Sequence, residues 1–190
     1  TDETISKGSW CYTNNLQIKA APDVLHVLID IVSKNGVLLL NISPKADGTI
    51  PQNQRDVLLA MGNWLDQYGE AIYDTRPWYT YGEGPVKEPE GHFRNKEEFL
   101  KIKYSEKDIR YTTMGNTIYA TLMGKPRSGS GIMMESFAAN SLPEPIEIKN
   151  ISLLGADKDI SWDLTDEGLN IIAPDADMDD IAVVFKIETE

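Results

Sequence analysis

Residues 35–51 read Asn-Gly-Val-Leu-Leu-Leu-Asn-Ile-Ser-Pro-Lys-Ala-Asp-Gly-Thr-Ile-Pro. Within that stretch, residues 37–42 are apolar at every position but Asn41 and lack the alternation that one wet face would impose. They predict a strand covered on both faces, as in parallel sheets. Upstream, Pro22 can open a helix because its missing N–H would be unpaired in the first turn anyway. Val24, Leu25, Val27, Leu28, Ile31 and Val32 fall along one stripe of that helix, and Asn35-Gly36 supplies a left-handed stop. Downstream, Pro51 opens a second helix in which Val57, Leu58, Met61, Trp64, Leu65 and Tyr68 recur at helical spacing before Gly69 closes it. Helix, buried strand, helix is an α/β arrangement.

Beyond Trp78 the pattern changes to short alternating stretches separated by turn signals, so a second, antiparallel all-β unit is expected, with the boundary near residue 77. Residues 109–114 and 117–123 flank Gly115-Asn116 as one hairpin; residues 160–164 and 169–172 flank Asp166-Glu167-Gly168 as another. Residues 146–154 and 181–187 add two strands, and the set suggests a β-sandwich. Residues 79–96 and 124–131, rich in Gly with Glu and Pro or with Ser, read as loops. The expected division is therefore 1–77 and 78–190, and 190 residues accommodate two such units.

Composition narrows function mainly by exclusion. A net charge of −12 and a pI near 4.6 oppose binding to phosphate backbones, so nucleic acid is not expected as a partner. Apolar residues at 41% and charged residues at 25% are ordinary for a globular chain, and no apolar run approaches the ~20 residues of a membrane span. One cysteine, Cys11, closes no internal disulfide, and with only His26 and His92 there is no zinc-type cluster. His26 sits off the apolar stripe, is expected to be exposed, and is not read as a ligand. The first ten residues begin with Thr and lack the regions of a signal peptide, as expected of a chain that begins mid-protein. Asp175, Asp177 and Asp179 alternate like a calcium loop, but Asp180 and Lys186 stand where Gly and Glu are required. The Gly-rich residues 124–130 lack the terminal Gly-Lys-Ser/Thr of a phosphate loop, and the sequons at Asn41 and Asn150 fall inside expected strands and are discounted.

The segment from residue 33, Ser-Lys-Asn-Gly-Val-Leu-Leu-Leu-Asn-Ile-Ser-Pro-Lys-Ala-Asp-Gly-Thr-Ile-Pro, with Gly69-Glu70-Ala71-Ile72-Tyr73-Asp74-Thr75-Arg76-Pro77 further on, closely resembles the end of the catalytic domain of family 29 glycoside hydrolases, the α-L-fucosidases. Gly8-Ser9-Trp10-Cys11-Tyr12 looks like the family's Ser-Trp-Gly-Tyr element. Asp108-Ile109-Arg110-Tyr111-Thr112-Thr113 and Thr117-Ile118-Tyr119-Ala120 resemble the start of its C-terminal sandwich. The resemblance spans nearly the whole chain. It implies the C-terminal end of a (β/α)8 barrel, with residues 37–42 as last strand and the helix from Pro51 as last outer helix, followed by the sandwich. A full barrel takes about 250 residues, so most of it would lie upstream of Thr1.

By the same resemblance the parent is a retaining enzyme releasing terminal α-L-fucose from glycans, with no cofactor or metal, in a periplasmic, secreted or lysosome-like setting. Its two carboxyl groups must stand about 5–5.5 Å apart. The nucleophile is an Asp on an earlier strand that nothing here matches, so the partner required is the missing barrel segment and the chain alone is expected to be inactive. In the family the acid/base Glu sits on a variable loop near the Ser-Trp-Gly-Tyr element. Here residues 10–19 hold no carboxylate, Asp2 and Glu3 lie just before them, and Glu3 is the acid/base candidate, with a solvated or capping carboxylate as the alternative. Trp10, Tyr12 and Leu38 are the substrate-binding candidates, and Asn41 is expected to pin the end of the strand by side-chain hydrogen bonds. Val37 stands where the family usually has Asn, and Ser43 where it has Gly, departures that bear on fine substrate preference. A rival function is a non-catalytic sandwich that binds carbohydrate or stabilises the barrel; sugar binding would require an exposed aromatic platform from among Tyr104, Tyr111, Tyr119, Phe137 and Trp162. The apolar faces of residues 1–77 are expected to lie bare unless the sandwich or another chain covers them.

Overall fold

Both helices form as the apolar spacing requires. Helix α1 spans Ala21–Ser33 with Pro22 in its first turn. Its C-terminus turns on Asn35, at φ 63°, and the N–H groups of Asn35 and Gly36 return to the carbonyls of Val32 and Ile31. Helix α2 spans Gln52–Tyr68 after Pro51 and ends at Gly69. The computed structural model describes residues 1–87 and 102–190. His92 and the rest of the expected loop beyond residue 87 lie outside the described residues.

The decisive apolar stretch is a shorter strand than expected, and only one of its faces is covered. Strand β2, Leu39–Asn41, pairs in parallel with β1, Asp2–Thr4, in register Asp2 to Leu39 and Thr4 to Asn41. Leu40 and Ile42 pack against Ile5, Val24, Val57 and Met61, which seat the pair on both helices. Val37 and Leu39 point the other way and remain 79% and 69% exposed. The expectation of two covered faces is thus corrected: among the described residues a helical layer lies on one side of this two-stranded sheet and nothing lies on the other. Strand β1 carries too few apolar residues to announce itself in sequence.

The remaining strands form two antiparallel sheets. Strands β3 (Arg76–Glu83), β4 (Ile109–Met114), β5 (Thr117–Leu122), β10 (Val183–Thr189) and β7 (Ile148–Leu153) make a five-stranded sheet in the order β3-β4-β5-β10-β7. Strands β6 (Gly131–Met134), β9 (Gly168–Ile172) and β8 (Trp162–Thr165) make a three-stranded sheet in the order β6-β9-β8. Both expected hairpins are present, each with a two-residue turn, and Gly115 at φ 59° supplies the left-handed backbone that the first one needs. Strands β3 and β6 replace the ends of the two expected loops. Strand β3 holds Pro77 and Gly82, which read as breakers; at a sheet edge, with a register shift between those two residues, both are tolerated.

The inner faces of the sheets enclose the main core, built on Tyr111, Leu122, Phe137, Ile151, Ile171 and Phe185. The outer face of the larger sheet is covered in turn by the helices: Leu25, Ile29, Trp64 and Tyr68 pack on Tyr119, Met123 and Val184. Strands β5 and β10 are therefore covered on both faces over most of their length: every residue of β5 but Thr117 is buried, as are Val183, Val184, Phe185 and Ile187 of β10. The result is a β-sandwich with a third, helical layer.

Candidate active site

The carboxyl ends of β1 and β2 lie side by side, and the chain just beyond β1 folds over them as a short loop carrying Trp10. Asn41, the last residue of β2, donates through Nδ2 to Thr4 Oγ1 at 3.2 Å and to the Trp10 carbonyl at 3.0 Å. Ser43 Oγ donates to the same Trp10 carbonyl at 3.2 Å. The neighbouring Ser9 carbonyl accepts from Thr4 Oγ1 at 3.3 Å and from Ser6 Oγ. The expectation that Asn41 pins this end agrees with those bonds. Behind it, the fully buried Gln54 of α2 grips the Ser43 backbone on both sides: Oε1 accepts its N–H at 2.8 Å and Nε2 donates to its carbonyl at 2.9 Å.

The sequence-derived candidates are distributed as follows. Trp10, whose carbonyl this network holds, is 44% exposed, whereas Tyr12 and Leu38 are half-buried. Glu3 lies in the middle of β1, where its Oε1 accepts from Lys19 Nζ at 2.5 Å and from the Thr4 N–H at 2.7 Å. Lys19 is nearly buried, so the pair ties the loop preceding α1 to β1. Thr4, Ser6 and Gln54 escaped the sequence reading. Only Gln54 left a signal, as a polar residue on the buried stripe that continues through Val57, Met61 and Trp64. No group of three metal-ligating side chains occurs among the described residues.

The helical layer meets the larger sheet through a polar seam. Asp30 accepts from Arg110 Nε at 2.6 Å and from Lys34 Nζ at 2.8 Å, with Arg110 almost fully buried. Both cations lie over the Tyr81 ring, and Arg110 also over Tyr104. His26 is not exposed as expected: its Nε2 lies 2.9 Å from the Ile181 carbonyl and its ring meets the edge of Tyr104. Burial holds this imidazole below its ordinary value, with the Ile181 carbonyl acting in the opposite sense. Glu70, after α2, accepts from Lys186 Nζ and Tyr119 Oη, both at 2.6 Å, and these donors hold its carboxyl below the usual range.

The five aromatic candidates on the sandwich form no exposed platform: Tyr111, Tyr119 and Phe137 are buried, and Tyr104 and Trp162 are partly buried, all packed in or against the two apolar cores. Open clefts of about 760 and 580 Å³ lie on the sandwich, beside Trp78 and Ile146 and beside Glu83 and Ile132, away from Trp10.

The family models match in two consecutive blocks: Alpha-L-fucosidase over residues 1–70 and Alpha-L-fucosidase C-terminal domain over residues 103–188. The chain belongs to the α-L-fucosidase family. Mouse tissue alpha-L-fucosidase is 30% identical over 162 residues, which is 84% of this chain and 30% of the relative. The human tissue enzyme is 29% identical over 175 residues, 90% of this chain and 32% of the relative. The Thermotoga maritima alpha-fucosidase solved in complex with fucose superposes with a TM-score of 0.74 at 27% identity, over 98% of this chain and 38% of that one. The chain thus spans about a third of the length of the curated relatives it matches. Its similarity is to the C-terminal part of α-L-fucosidases, and its sandwich corresponds to their C-terminal domain.

Proposed function

We propose that the chain is the C-terminal part of a retaining α-L-fucosidase that releases terminal α-L-fucose from glycans. Residues 1–77 form the closing portion of the (β/α)8 barrel, and residues 78–190 form a sandwich that stabilises it. The observation that carries this reading is the parallel β1–β2 pair, with helices behind it, a bare apolar face in front, and an exposed Trp10 at its carboxyl end. Barrel active sites are built at the carboxyl ends of the strands, and the bare Val37 and Leu39 suit the packed interior of a closed barrel. Trp10 and Tyr12 supply apolar surface to the sugar; Leu38 precedes β2 and lies at its amino end, away from Trp10, so it is dropped from the substrate contacts.

In a retaining mechanism one carboxylate attacks the anomeric carbon and the other first protonates the departing oxygen, then activates water. The nucleophile is assigned to the upstream barrel strands. Glu3 is the acid/base candidate carried over from the sequence, but it shares the helix-facing side of the sheet with Leu40 and Ile5 and is held there by Lys19, which argues against that role. Hydrolysis of a chromogenic α-L-fucoside tests the reading: no turnover by the chain alone, turnover when it is combined with the upstream segment. Turnover by the 190 residues alone would place both carboxyl groups within them. In the active enzyme, an acid/base role for Glu3 would make Glu3→Gln lower kcat by about 10²–10⁴ for poor leaving groups and far less for activated aryl fucosides. An unchanged kcat would leave Glu3 with the Lys19 ion pair as its whole role.

A further inference from the structure

Four side-chain donors converge on two consecutive carbonyls of the loop that carries Trp10: Thr4 and Ser6 on Ser9, Asn41 and Ser43 on Trp10. A carbonyl in an exposed loop is satisfied by water at little cost, so donors drawn from both strand ends serve placement rather than satisfaction. Asn41 uses one amide hydrogen for Thr4 and the other for Trp10, which spends its donor capacity and fixes its plane. Ser43 cannot drift, because the buried Gln54 amide holds its N–H and carbonyl together against α2. The chain of contacts therefore runs from a helix interior to the backbone of one half-exposed indole.

We propose that Asn41 and Ser43, backed by Gln54, are positioning residues: they act on substrate only through Trp10, by fixing the backbone that aims its indole at the apolar face of the sugar. This rests on Trp10 being a substrate contact of an α-L-fucosidase. None of the three positioning side chains is assigned a contact with substrate, so their removal should move KM and leave the chemical step alone.

The test is a double-mutant cycle in the enzyme that carries this chain, with KM and kcat measured on an aryl α-L-fucoside and a thermal midpoint recorded for each protein. Trp10→Ala raises KM. Asn41→Ala raises KM about fivefold, the worth of one lost hydrogen bond, with kcat nearly unchanged, and causes no further rise in the Trp10→Ala background. Ser43→Ala shows the same dependence on Trp10, and Ser43→Thr, which keeps the hydroxyl, restores KM. Ser43→Ala leaves the grip of Gln54 on the backbone intact, so it remains decisive if Asn41→Ala does not fold. A rise of the same size with and without Trp10, or wild-type KM in Asn41→Ala and Ser43→Ala, overturns the proposal, as does wild-type KM in Trp10→Ala. Failure of the fucosidase reading looks different, because then the unmodified enzyme itself hydrolyses no α-L-fucoside.

Discussion

At the scale of single residues, the side chains that join the helices to the sandwich are legible only in part. Asp30 looks like any exposed helix carboxylate in sequence, yet it pairs with Arg110, which lies 80 positions away and is 4% exposed. Asp30→Ala removes a carboxylate held by the nearly buried Arg110 and by Lys34, so it should destabilise the fold by up to about 3 kcal/mol in the urea unfolding free energy. His26 was misread because its position off the α1 stripe suggested solvent, whereas the sandwich carbonyl of Ile181 meets it there. Its folded-state affinity for protons is lowered, so the unfolded chain binds the proton first as pH falls below the ordinary histidine value of about 6.5. Stability contributed by neutral His26 is complete above that pH, declines as pH falls towards the folded value, and levels off beneath it. Urea midpoints measured from pH 7.5 to 5, as about four points, should fall less steeply for His26→Gln than for the unmodified chain.

At the scale of elements, helical spacing placed α1 and α2 near their expected bounds, although each packs on two cores: Val24, Val57 and Met61 against the β1–β2 pair, and Leu25, Ile29, Trp64 and Tyr68 against the larger sheet. In α2 both sets fall on one buried stripe. Trp64 lies on that stripe, 2% exposed, and its Nε1 donates to the Ala182 carbonyl at 2.9 Å, joining α2 to the approach of β10. Trp64→Ala should destabilise by about 3–5 kcal/mol, read as a lower denaturant midpoint with an unchanged slope. The hairpins were legible through their turns. Gly168 opens β9 at φ 142°, and a Cβ there would stand 2.5 Å from the Met134 carbonyl oxygen, so no side chain fits without moving β6. Gly168→Ala should cost about 1–3 kcal/mol, measured by thermal unfolding. Strand β3 was missed because Pro77 and Gly82 are breakers in isolation, and only a place at the sheet edge makes them acceptable.

At the scale of the whole molecule, two apolar layers are closed and one is open. The sandwich core and the helix-to-sheet core are both buried, which answers half of the expectation of bare apolar faces: the larger sheet covers the helices on that side. The other half stands for the β1–β2 sheet, where Val37 and Leu39 remain exposed at 79% and 69%. The isolated chain should therefore enhance the fluorescence of a dye that binds apolar surface. Val37→Thr with Leu39→Thr should reduce that signal without lowering the thermal midpoint, because neither side chain contributes to a closed core.

The sequence by itself determined the two helices, the hairpins and the kinship to α-L-fucosidases, since each rests on short-range spacing or on contiguous motifs such as residues 35–51. Only the tertiary structure decided which apolar faces are covered, which charges are paired and how Trp10 is held. Those depend on residues far apart in the chain, Arg110 with Asp30, Ile181 with His26 and Asn41 with Thr4, whose juxtaposition no local pattern encodes.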